Sequence, residues 1–122
     1  MRALIVDDSQ LARHLLRSLL AVRGIECEEA ADGAEALARL HASAPFDLAL
    51  VDWNMPGMSG LEMLQKMRAE GFTAVKVLMV TALDENESIL RALEAGADEY
   101  LMKPFEPEAL SDKLAMLGLV AG

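Results

Sequence analysis

Residues 47–60 read DLALVDWNMPGMSG. Four consecutive apolar residues, Leu48 to Val51, run straight into a carboxylate, Asp52. An unbroken apolar run is how a strand covered on both faces reads; a half-exposed strand alternates instead. Met55-Pro56-Gly57 then supplies turn chemistry. Ser59-Gly60-Leu61-Glu62 has the form of a capping box that opens a helix. A doubly covered strand, a short turn and a helix make the first part of a strand-helix-strand unit. Such units build parallel sheets with helices on both faces.

Working outward, the same alternation occurs five times. The strand candidates are Ala3–Val6, Glu26–Ala30, Leu48–Val51, Val75–Val80 and Glu99–Met102. The second and fifth carry acids, which suits positions nearer the sheet edges. In the first helix Leu11, Leu15, Leu19 and Val22 fall on one face and are expected to turn inward, with Gly24 as the stop. Asp32 can cap the second, which carries Leu37 and Leu40 inward and ends before Pro45. The third places Leu61, Leu64 and Met67 on one face and stops at Gly71. Asp84 and Glu87 form an Asp variant of the capping box for the fourth, which is expected to bury Ile89 and Leu93 and stop at Gly96. Pro107 opens the fifth, with Leu110 and Leu114 facing in. A (βα)5 alternation with short connections predicts an α/β fold: an open, five-stranded parallel sheet wound on both sides. The chain is too short for an eight-stranded barrel.

Composition narrows the function. The 122 residues suit one domain with one core. Just over half the residues are apolar, which argues against disorder. No apolar stretch approaches the roughly 20 residues of a membrane span, and the N-terminus meets two acids too early for a signal peptide. No membrane insertion is expected. Cys27 is alone, so it makes no internal disulfide, and it reads as a reduced buried thiol in a cytoplasmic protein. A net charge of −9 argues against direct nucleic-acid binding, which needs Lys and Arg against phosphates. It is compatible with metal cations and basic partner surfaces.

The ends of the apolar runs carry the chemistry. The first ends in Asp7-Asp8, the third in Asp52, the fourth in Thr81 and the fifth in Lys103-Pro104. In an open parallel sheet these C-terminal ends lie side by side, under the crevice where ligands bind. An acid after a strand is usually a helix cap or a solvated loop residue. Four strand ends bearing complementary groups are harder to explain that way. Three acids around one lysine leave negative charge in excess, and two like charges at ~4 Å repel by roughly 4 kcal/mol at an intermediate dielectric. Such a cluster calls for a cation. With oxygen donors alone the cation is hard: Mg²⁺ first, Mn²⁺ or Ca²⁺ as substitutes. Mg²⁺, a lysine and a bare Asp together suggest phosphoryl transfer to the Asp, since a carboxylate can act as nucleophile and form an aspartyl-phosphate.

The segments LIVDDS, LALVDWNMPGMSGLEML, KVLMVTA and GADEYLMKPF form a recognisable set. With them the chain resembles a response-regulator receiver domain over essentially residues 1–122, and among these the single-domain chemotaxis type. The resemblance implies the flavodoxin-like, doubly wound sheet of order 2-1-3-4-5, an order for which a chemotaxis receiver is the standard example. It implies a phosphorylation-dependent switch of a two-component system, with no output domain attached. It assigns Asp52 as phosphoacceptor, Asp8 and Asp52 as metal ligands, Asn54 as a ligand through its backbone carbonyl, and Asp7 as a ligand through water. Thr81 and Lys103 would bind phosphoryl oxygens, Thr81 and Tyr100 would form the switch, and Lys103–Pro104 would be a cis peptide. A histidine kinase would be the phosphodonor. The downstream partner would read the face of the fourth helix, fifth strand and fifth helix. The domain would catalyse only its own phosphorylation and dephosphorylation.

Read without the resemblance, Tyr100 equally fits a half-buried strand residue and Thr81 a strand or helix-entry residue. Trp53 fits packing, and beside Asp52 it should also report optically on the site. His14 and His41, on helices, read as surface residues rather than phosphate carriers. Most of the eight Met residues read as core filler. Leu83, two residues after Thr81, offers no hydrogen bond to an attacking water, which is expected to alter the phosphate lifetime. Two rival functions use similar parts. A small Mg²⁺-dependent phosphohydrolase with an aspartyl-phosphate would want a second acid two residues after the nucleophile, where Asn54 stands. A flavodoxin-like nucleotide or flavin binder would want a Gly- or Ser/Thr-rich cradle after the first strand. The chain places two acids there instead.

Overall fold

In the computed structural model, residues 1–43, 45–82 and 86–119 are described, without the side chains of 86–88. The elements alternate strictly: β1 (Arg2–Val6), α1 (Gln10–Ala21), β2 (Glu26–Ala30), α2 (Gly33–Ser43), β3 (Leu48–Asp52), α3 (Gly60–Ala69), β4 (Lys76–Thr81), α4 (Asn86–Glu94), β5 (Glu99–Met102) and α5 (Pro107–Met116). All pairings are parallel and the order is β2-β1-β3-β4-β5. The two acid-bearing strands, β2 and β5, are the edges. β2 and β5 have the expected bounds, and the other three strands differ by single residues: Arg2, Asp52 and Thr81 join the sheet, and Val75 does not.

Side chains alternate across each strand, so one sheet supports two apolar layers. Leu4, Val6, Ala49, Val51, Val77 and Met79 face α2, α3 and α4, with Leu40, Met63, Leu64 and Met67 among the residues that cover them. Ala3, Ile5, Leu48, Leu50, Leu78 and Val80 face α1 and α5, covered by Leu16, Leu20, Leu110 and Leu114. Each fully buried Leu or Ile contributes about 2 kcal/mol of transfer free energy, and β1 and β3 bury apolar groups on both faces. That is why their sequences show no alternation.

The helix starts follow capping chemistry. Ser9 Oγ accepts from Ala12 N at 3.2 Å to open α1. Asp32 Oδ1 accepts from Glu35 N at 2.8 Å to open α2. Ser59 and Glu62 form the reciprocal box of α3. Pro107 begins α5. Leu83 and Asp84 lie outside the described residues, as does the side chain of Glu87.

Two expectations about helix faces are corrected. On α1 the buried residues are Leu16 and Leu20, whereas Leu11 is 78%, Leu15 53% and Val22 85% exposed. The helix carries two overlapping leucine stripes of the same period, and the sheet takes the second. On α4, Leu93 is exposed and Ala92 is buried in the layer with Met67, Val77 and Met79. A small residue at that contact lets the helix lie close to the sheet and turns the leucines outward.

Candidate phosphoacceptor and cation site

The parallel register brings the strand ends to one rim. Val6 lies opposite Val51, Asp52 opposite Val80, and Thr81 opposite Met102. The residues that follow are therefore neighbours. Carboxylate oxygens of Asp7, Asp8 and Asp52 all fall within 4.8 Å of one another. Lys103 reaches in from beyond β5, its Nζ 3.1 Å from Asp7 Oδ2 and 3.6 Å from Asp52 Oδ1. Asp7, Asp52 and Thr81 are buried, Asp8 is exposed, and Lys103 is partly covered.

Local hydrogen bonds fix each group. Asp7 N donates to Ala30 O at 3.1 Å, and Asp7 Oδ1 accepts from Ser9 N at 2.9 Å. The Lys103 N–H donates to Thr81 O at 2.7 Å, which ties the loop after β5 to the end of β4. The Lys103–Pro104 peptide is cis. Asn54 is exposed on the turn after β3, and its backbone N–H serves the Asp52 carboxylate. Tyr100 on β5 is half-buried, with Lys113 Nζ 4.6 Å from its ring centroid. Trp53 packs against the α2–α3–α4 layer one residue from Asp52. His14 and His41 are exposed on α1 and α2.

Charge is out of balance at this rim. Three carboxylates face one ammonium, leaving two negative charges in excess. The Asp52 carboxyl is pushed above its ordinary range by burial, and then by Asp7 and Asp8; Lys103 and the Asn54 N–H only partly oppose this. A divalent cation would remove the excess. The donor set, all oxygen and with one exposed member, fits a hard ion that keeps water in its shell. Elsewhere, Cys27, expected to be buried, is only half-buried, and that burial pushes its thiol upward, so it stays protonated at neutral pH.

Two residues at this rim escape a reading of the sequence. Gly60 opens α3, where glycine is a poor helix former. A Cβ there would lie 2.2 Å from Asp52 O and 3.0 Å from Trp53 Cα, and Gly60 N donates to Trp53 O at 2.9 Å. The helix start thus rests directly on the backbone that carries Asp52. A glycine at the first position of a helix is the only signal for this in the sequence. The other is Arg13, which lies six residues beyond Asp7 and carries no motif.

The response regulator receiver domain family matches residues 3–115. The chain belongs to that family. The receiver is 42% identical over 116 residues to the chemotaxis protein CheY of Pseudomonas aeruginosa, spanning 93% of each chain. Among solved structures it is similar to chemotaxis protein CheY4 of Vibrio cholerae, at 37% identity and a TM-score of 0.89, covering 95% of this chain and 97% of that one. It is also similar to the response regulator TrrA of Thermotoga maritima, solved in complex with Mg²⁺-BeF, at 35% identity and a TM-score of 0.84, covering 95% and 97%. The receiver is accordingly a phosphorylation-dependent signalling switch of the two-component type. No helix among its described residues is long and apolar enough to cross a membrane.

Proposed function

We propose that Asp52 is the phosphoacceptor of this receiver, supplied by the phosphohistidine of a histidine kinase. The observation that carries this reading is the convergence of Asp7, Asp8, Asp52 and Lys103, with charge left unbalanced, at the crevice end of a parallel sheet. An Asp52 oxygen attacks phosphorus, the P–N bond breaks, and the electron pair leaves on the imidazole. Lys103 pairs with one phosphoryl oxygen and the Thr81 hydroxyl with another. Mg²⁺, with Mn²⁺ or Ca²⁺ as substitutes, would be held by Asp8, Asp52, the Asn54 carbonyl and, through water, Asp7, and when bound it neutralises charge on the transferring group. Water later hydrolyses the acyl phosphate and resets the switch. The domain so acts on itself alone, and it works in the cytoplasm.

The response starts at Thr81 and Tyr100. Drawing the Thr81 side chain toward the phosphoryl group frees space for Tyr100 to turn inward, and that biases a two-state surface. The surface is α4–β5–α5. Leu90 and Leu93 on α4 and Met116 on α5 are exposed apolar side chains available to a partner there.

Trp53 provides the test. Its fluorescence is followed while Mg²⁺ and then a small acyl-phosphate donor are added to the parent and to Asp52→Asn. The parent is expected to respond at both steps and the variant to show no response to the donor. A silent parent, or the same donor response in both proteins, overturns the assignment.

A further inference from the structure

We propose that Arg13, on α1, is a positioning residue for the acidic pair: its guanidinium holds the peptide that joins Asp7 to Asp8 and thereby sets the cation affinity of the rim. This rests on the phosphoacceptor reading above. The Arg13 side chain is 16% exposed, and its guanidinium is engaged in two directions. One terminal nitrogen donates to Asp7 O at 2.6 Å. Nε donates to Glu29 Oε1 at 3.2 Å. Glu29 is the β2 residue immediately before Ala30, whose carbonyl accepts the Asp7 N–H at 3.1 Å.

These contacts close a ring: Asp7, Arg13, Glu29, Ala30 and back to Asp7. Both backbone polar groups of Asp7 are gripped from outside β1, the N–H by β2 and the C=O by α1. That carbonyl belongs to the peptide plane from which Asp8 emerges. Asp8 is exposed, so surrounding side chains do little to direct its carboxylate. Its direction is set by the backbone, and Arg13 holds that backbone. Buried Asp7 is restrained through its side chain as well, by Ser9 N and Lys103 Nζ.

Arg17 supplies the contrast. It also pairs with Glu29, through Oε2 at 2.5 Å, but it is nearly half exposed and Glu29 is its only contact in this network. An α1–β2 ion pair by itself is worth at most about 1 kcal/mol to the fold and leaves the rim alone. Arg13 differs by its bond to Asp7 O. A donor that orients a ligating residue from behind acts on metal affinity, not only on stability.

The experiment titrates Mg²⁺ into the parent, Arg13→Met, Arg13→Lys and Arg17→Met, reading Trp53 fluorescence and calorimetry at a temperature where unfolding curves show each protein folded. Arg13→Met keeps the apolar stem and loses every donor. Its Mg²⁺ dissociation constant is expected to rise by about tenfold or more, the usual effect of losing such an outer partner. Arg13→Lys, which can still donate to Asp7 O, recovers part of the loss, and Arg17→Met matches the parent. In the metal-free proteins the Asp8 and Ser9 amide resonances shift in Arg13→Met and stay in place in Arg17→Met. Parental affinity in Arg13→Met, or equal weakening in Arg13→Met and Arg17→Met, overturns the proposal while the phosphoacceptor reading stands. A parent that binds no Mg²⁺ overturns both. Should Arg13→Met not fold, Arg13→Lys against Arg17→Lys makes the same comparison.

Discussion

The two ends of the sheet carry similar residues and behave oppositely. At the N-terminal end, Arg2 N donates to Asp47 Oδ2 at 2.8 Å, and Asp47 N returns a bond to Arg2 O at 2.9 Å. Lys76 N donates to Asp47 O at 3.1 Å. The Arg2 guanidinium pairs with Glu28 and lies 4.5 Å from the centroid of the Phe46 ring. Asp47 and Glu28 each have a donor aimed at them, and the strands are pinned in register. At the C-terminal end three carboxylates share one lysine, and two of the three are buried. Evolution under stability alone would not keep that arrangement, because buried charge without enough partners costs more than an apolar substitute. The acids at one end hold the fold together; those at the other draw on its stability.

Substitutions can break this contrast. The largest effect is expected from Gly60→Ala, whose methyl group would meet the Asp52 carbonyl. Relieving that clash means moving α3 or β3, at a cost of about 3 kcal/mol or more in chemical denaturation. Asp52→Asn should act with the opposite sign, raising the stability of the metal-free protein by about 1–3 kcal/mol at neutral pH, since it removes a buried charge from a like-charged cluster. The native Asp52 carboxyl titrates above its unfolded value. Its favourable contribution is therefore complete below the ordinary carboxylate range and is lost as pH rises through the higher, native value. The gap between parent and variant should open over that window and stay constant at neutral pH; a gap that closes there would contradict the charge account. Mg²⁺ at ten times its dissociation constant should stabilise the parent by about 1.4 kcal/mol in thermal unfolding, and Asp8→Asn by less at the same concentration. At the opposite rim, Asp47→Ala should lose about 0.5–1 kcal/mol, the worth of an exposed hydrogen bond, with no dependence on Mg²⁺. A stabilising Asp47→Ala would erase the distinction between the two ends.

Much of this was legible in the sequence, for identifiable reasons. β1 and β3 announce themselves because they are covered on both faces, and the acids at their ends stand out against the apolar runs. The strand order came with the family resemblance, since alternation of elements fixes layers but not neighbours. The inward face of α1 is not legible, because Leu11, Leu15 and Leu19 repeat at the same interval as the Leu16–Leu20 pair. Periodicity finds a stripe and cannot choose between two. On α4 the buried contact is Ala92, and hydrophobic periodicity weights large residues over an alanine. Arg13 and Gly60 act through backbone atoms of distant residues, and backbone contacts leave no pattern in side-chain chemistry.

The bond between Lys103 and Asp7 joins groups 96 residues apart in sequence. This distance has a consequence in time. A chain emerging from the ribosome presents Asp7 and Asp8 first and Asp52 midway, so β1 and β3 can pair while all three acids are already in place. The cation that moderates them arrives only when β5 docks at the far edge. Until then the nascent rim holds three like charges with no lysine among them. Late, long-range closure of this kind is slow. Docking of β5 is thus the step that brings a lysine to the three acids, and a divalent ion present during synthesis would stand in for it until then.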